Sequence, residues 1–159
     1  MSLSLHDFLA RFPKAELHYH LLGGVRLHTM LDLAKKYAVA LTEQEAKSYY
    51  RQYAQETGVV KGGIAALNFL YPLLRETVDY ERIAREILDD AKATGVRYVE
   101  FFWNPSDTAL SYPEVTDALC QIFDEYETQQ DISAFLIPSI NREKSPEEAV
   151  AMVEAMIAY

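Results

Sequence analysis

Cysteine is nearly missing from this sequence: Cys120 is the only one among 159 residues. That excludes an internal disulfide framework and a cysteine-rich zinc site, and it suits a reducing cytoplasm. Positive charge is also scarce. Fifteen Lys and Arg face 24 Asp and Glu, a formal charge of −9 that disfavours non-specific attraction to a nucleic-acid backbone or an anionic membrane. No stretch approaches the roughly 18 consecutive apolar residues of a membrane span, and the first 17 residues mix acids and an arginine into any apolar run, unlike a secretory leader. A soluble, cytoplasmic protein is the expectation. Low-complexity linkers and internal repeats are missing too. What is present is a 50% hydrophobic content, enough for one ordinary domain with a real core.

Two periodicities alternate along the chain. Residues 15–21 read as a short strand stopped by Gly23 and Gly24. Helical spacing follows at 28–38, and Thr42 with Glu45 reads as a capping box for a second helix. Another helical stretch is expected near 62–75. Asp79 is the expected N-cap of a helix that ends at Gly95. VRYVEFFW, residues 96–103, is rich in β-branched and aromatic residues and closes on Asn104-Pro105, so it reads as a second strand. An amphipathic helix at 113–128, a third strand at 132–140 and a helix opened by Ser145-Pro146-Glu147-Glu148 complete the order. Strands alternating with helices predict an α/β fold with parallel strands. Three such strands cannot close on themselves, whereas a full (β/α)₈ barrel takes about 250 residues, so the chain is expected to be part of a larger architecture.

PKAELHYHLLGG, residues 13–24, carries the most chemistry. Side chains alternate across a strand, so His18 and His20 should share a face about 6–7 Å apart along the chain, with Leu17, Tyr19 and Leu21 opposite. Two imidazoles so placed suit one metal ion, and the C-terminal end of a parallel strand is where such folds place their sites. A bare His-x-His is nonetheless more often a pair of exposed or hydrogen-bonded side chains.

The same stretch resembles the opening strand of the adenosine deaminase family, with its pattern P-K-x-E-L-H-x-H-L-(D or E)-G. The resemblance continues through 28–38, 79–100 and the third strand to Asn141-Arg142. EFFWNP, residues 100–105, is closer to the E-x-F-F-D-P of adenine-deaminase-like branches than to the E-x-R-x-x-P of typical adenosine deaminases, and Phe102 stands where that arginine would be. The resemblance implies the N-terminal part of a (β/α)₈ TIM-type barrel with extra helices between strands 1 and 2. It implies a hydrolase that replaces the exocyclic amine of a purine with oxygen, using a zinc-activated water, with release of ammonia. His18 and His20 would be two zinc ligands, and Leu22, Gly23, Phe69 and Phe102 would face the small-molecule substrate.

Two departures follow from the same comparison. The family carries an acid where this chain has Leu22, which cannot accept a hydrogen bond. Its third metal histidine, its H-A-G-E glutamate, a later catalytic histidine and a metal-binding aspartate belong to the second half of the barrel, and none of those motifs occurs in these 159 residues. The chain alone is therefore expected to be inactive. Another hydrolase of the wider amidohydrolase group, and a non-catalytic half-barrel that self-associates through its strand edges, remain alternatives. Lesser candidates are Glu100, either an inward-facing support for the site or half of an ion pair; Asn104 and Asp107 beyond the second strand; and Arg142 beyond the third. His6 and His28 read as capping or solvated residues, and Leu70 and Tyr71 as core.

Overall fold

The computed structural model describes residues 4–55 and 67–159. A short helix α1 (Leu5–Arg11) leads into strand β1 (Lys14–His20). A 3₁₀ turn at Leu21–Gly24 follows, then helices α2 (Leu27–Lys36) and α3 (Glu43–Gln55). The helix expected at 62–75 falls partly outside the described residues; within them, 67–70 is helical and Tyr71–Leu73 is a 3₁₀ turn. Helix α4 (Thr77–Ala93), strand β2 (Val96–Trp103), helix α5 (Tyr112–Gln130), strand β3 (Ser133–Pro138) and helix α6 (Pro146–Ala158) complete the order.

The helix starts follow local hydrogen-bond chemistry. Thr42 and Glu45 close the capping box expected for α3, the Thr42 amide donating to Glu45 Oε2 at 2.8 Å and the Glu45 amide to Thr42 Oγ1 at 3.2 Å. Ser111 with Glu114 does the same for α5, and Ser145 with Glu148 for α6. The start of α4 is a correction: Glu76, not Asp79, is the N-cap. Asp79 is the third helical residue, 3% exposed, and its carboxylate reaches back to accept from the amides of Arg75 and Glu76, both at 3.1 Å. Helix α1 escaped the periodicity because it is one short segment, although Ser4 caps it by accepting from the Asp7 amide.

The three strands are parallel in the order β1-β2-β3. Val99, Phe101 and Trp103 point from β2 into the helical layer and are buried with Ile83 and Ile87 of α4 and Leu119, Ile122 and Phe123 of α5. Phe101 stacks on Phe123 at 5.4 Å. The registers Leu17↔Glu100↔Phe135 and His20↔Phe102↔Ile137 place those residues together on the other face. That face is open: Leu17 is 61% and Phe135 51% exposed. Helices on one face of a parallel sheet, with the second face uncovered, are the geometry of a partial barrel.

Where β1 begins, the chain is tied to the α4–β2 turn. The Lys14 amide donates to the Gly95 carbonyl at 3.0 Å, and its ammonium reaches the carbonyls of Phe12 and Thr94, the latter at the C-terminus of α4. Gly95 adopts a φ of 86°, and a Cβ there would sit 2.4 Å from the Ala10 carbonyl oxygen. Gly95→Ala is therefore expected to destabilise the fold by about 2 kcal/mol, the order of the left-handed penalty for a residue with a side chain plus the clash. Chemical denaturation should show a lower midpoint with an unchanged slope.

Candidate metal centre

At the C-terminal end of β1 the ladder departs from simple alternation. Leu17 is in register with Glu100 and Tyr19 with Phe101, so His18 is an extra residue between two consecutive partners, a β-bulge. Its φ is 98°, in the left-handed half of backbone space. Both imidazoles end on the open face, with ring centroids 5.1 Å apart and planes crossed at 67°. The shared face expected for His18 and His20 is found. Its cause is different, because the bulge puts Leu17 on that face as well.

Phe102, directly opposite His20 on β2, lies against both rings. Its centroid is 4.0 Å from that of His18 with planes 21° apart, a stacked pair, and 6.1 Å from that of His20. Partial burial first, and the neighbouring His18 second, lower the pKa of His20. Both causes favour the neutral imidazole, the form that ligates metals. Two neighbouring neutral nitrogen donors fit part of a zinc site. Among the described residues no group of three or more His, Cys, Asp and Glu side chains could hold a metal ion.

The surrounding face is partly polar. Tyr98 donates its hydroxyl to Glu100 Oε1 at 2.8 Å, a bond that raises the Tyr98 pKa. Glu100 is thus partnered by a phenol on its own strand rather than by a Lys or Arg. Beyond the strand ends, the Asn141 amide donates to both Asp107 oxygens, at 3.0 and 3.1 Å, and Ser139 donates to the Asn104 side chain. These bonds join the loops after β2 and β3. Nothing in the sequence announced the pairings, since they link residues 34 and 35 positions apart, but each lies just past a strand's C-terminal end.

The other expected site residues are dispersed. Leu22 is 3% exposed and belongs to the core. Gly23 is exposed, and at Gly24 a Cβ would meet the Tyr19 hydroxyl at 2.5 Å. Phe69 stacks on Tyr49 of α3 at 4.9 Å, while Leu70 and Tyr71 are buried as read from the sequence. Tyr71 also accepts from the Asn104 amide at 2.9 Å, which ties that segment to the end of β2. Arg142 is exposed and makes no ion pair among the described residues. His28 is exposed on α2, 3.7 Å from Glu86. The His6 side chain lies outside the described residues.

Comparison with known proteins bears on the same elements. An adenosine deaminase from Clostridium perfringens is 30% identical over 156 residues, covering 92% of this chain and 46% of that protein. An adenine deaminase from Cupriavidus metallidurans is 28% identical over 164 residues, covering 98% and 44%. The crystal structure of an amidohydrolase from Burkholderia ambifaria, with bound Zn, superposes with a TM-score of 0.83 at 36% identity, covering 99% of this chain and 44% of that one. The chain thus spans under half the length of these relatives, as one part of their barrel. The adenosine deaminase family profile matches residues 13–159, from the proline before β1 to the end of α6, and with it the bulged His-x-His strand finds its place: the chain belongs to the adenosine deaminase family.

Proposed function

We propose that residues 1–159 are the N-terminal portion of a single barrel domain that hydrolytically deaminates a purine base or nucleoside in the cytoplasm. The observation that carries this is the pair of imidazoles, 5.1 Å apart, at the C-terminal end of the first parallel strand. Zinc in the Burkholderia ambifaria amidohydrolase supports zinc as the metal here. His18 and His20 would hold it. Bound there, it would supply the Lewis acidity that makes water a competent nucleophile near neutral pH.

The chain's own residues do the rest of what this portion contributes. Partial burial, and then the neighbouring His18, lower the His20 pKa and so favour the neutral imidazole, the form that can ligate a metal. Glu100, held by the Tyr98 hydroxyl, keeps a carboxylate on the face that carries the histidines. The Asn104–Ser139 and Asp107–Asn141 bonds hold the two following loops together where a substrate would enter. The exposed Gly23 and the rings of Phe102 and Phe69 would be the contacts for a purine. Leu22, where an acid would accept from the substrate, is buried and offers neither an acceptor nor a surface.

A catalytic zinc generally takes three protein ligands, and the described residues offer two together. The isolated chain should accordingly bind zinc weakly and release no ammonia from purines. Its strand edges at β1 and β3, each paired on one side only among the described residues, support self-association of the isolated chain. The test uses the full-length natural protein against adenine, adenosine and simple amides and esters. Ammonia release from a purine that stops with a chelator and returns with zinc is expected; amide or ester turnover without purine deamination would move the protein to another amidohydrolase activity.

A further inference from the structure

We infer that Phe102 is a positioning residue that aims the His18 imidazole, an inference that rests on the metal reading of His18 and His20. His18 is the extra residue of the bulge, so the ladder that fixes its neighbours does not fix it. Its backbone sits at a φ of 98°, a conformation that residues with side chains disfavour and that persists only when the surroundings over-determine it. Metal-binding histidines are ordinarily aimed by a hydrogen bond from the second ring nitrogen to a carboxylate or carbonyl. Among the described residues neither His18 nor His20 has such a partner. What His18 has instead is a ring-on-ring contact, 4.0 Å between centroids and 21° between planes, with Phe102.

Phe102 is well placed to act as that support. It lies on the central strand, paired with His20 on one side and Ile137 on the other, and its chain neighbours Phe101 and Trp103 are locked in the buried layer. The ring therefore stands on a rigid element. One of its faces is covered by His18, and that imidazole in turn meets His20 nearly edge-on. The aromatic residue at 102 thus completes the bulge: the backbone brings residue 18 to the open face, and the ring fixes the direction of its nitrogens.

The test is zinc titration of the metal-stripped full-length protein, followed by calorimetry, for the wild type, Phe102→Leu, Phe102→Tyr and His18→Ala. Phe102→Leu should weaken zinc binding about 10- to 100-fold, as loss of an outer-shell partner does. Phe102→Tyr, which keeps the ring, should bind like the wild type. The zinc titration is made without substrate, so any contact of the Phe102 ring with the purine does not enter it. Wild-type zinc affinity in Phe102→Leu together with loss in His18→Ala would overturn the role of Phe102 and leave the metal reading standing. Undiminished zinc binding by His18→Ala would instead overturn the metal reading itself. A measurement without substitution guards against misfolding: the His18 ring protons of the wild type should resonate well upfield of those of exposed His28, and equal shifts would contradict the stack.

Discussion

In the full-length protein, His18→Ala and His20→Ala are each expected to strip the metal and lower purine deamination by about 10³-fold or more, since water would lose the activation that brings its pKa down toward neutrality. The two rings lie side by side at a strand's C-terminal end, so neither can be replaced by the other's reach. Losing either also leaves fewer than the three protein ligands a catalytic zinc ordinarily takes. Bound metal measured by elemental analysis should fall in step with activity. His28→Ala is the control: that imidazole is exposed on α2, beside Glu86, and its loss should change neither quantity. Full activity and full metal content in either site variant would remove the histidines from the chemistry.

The second large effect is on stability. Asp79→Ala should destabilise the fold by about 3 kcal/mol, because a buried carboxylate leaves four donors behind. Those donors are the Lys36 ammonium at 2.7 Å, the Tyr37 hydroxyl and the amides of Arg75 and Glu76. Together they join the end of α2 to the start of α4. Burial by itself would raise the Asp79 pKa, but the bonds from Lys36, Tyr37 and the two amides outweigh it, and the pKa lies below its ordinary value. The folded carboxylate therefore binds protons less readily than the unfolded one. Its contribution is fully present above about pH 4 and is lost as the pH falls through the depressed folded-state value. Asp79→Asn, which retains an acceptor for the amides but no charge for Lys36, should lose less than Asp79→Ala and should flatten the acid limb of the stability profile. Urea midpoints measured from pH 3 to pH 7 check both the size and the sign.

Most of the fold was legible because its signals are local. VRYVEFFW occupies β2 from first residue to last, and the strands expected at 15–21 and 132–140 are Lys14–His20 and Ser133–Pro138. Capping residues are equally local, which is why Thr42 and Ser145 were read correctly. Asp79 misled for an instructive reason: an acid near a helix start serves either at the cap or at the third position, and only the tertiary bonds from Lys36 and Tyr37 show which. Strict alternation places Leu17 on the face opposite the histidines. The bulge at His18 overrides that rule, and a bulge formed by a non-glycine residue leaves little trace in a single sequence. The placement of His18 and His20 on one face is legible from their spacing and position, and the expectation of a metal there comes from the family pattern around them. Their surroundings were not legible: Phe102 against His18, Tyr98 on Glu100 and Asp107 with Asn141 are products of strand register and loop approach.

The most direct test of the account is anomalous diffraction at the zinc edge from crystals of the full-length natural protein. One peak is expected, bonded to a ring nitrogen of both His18 and His20 at about 2.0–2.1 Å from each. A metal bound elsewhere in a protein that still deaminates purines, or an active protein with no peak beside these two rings, would contradict it.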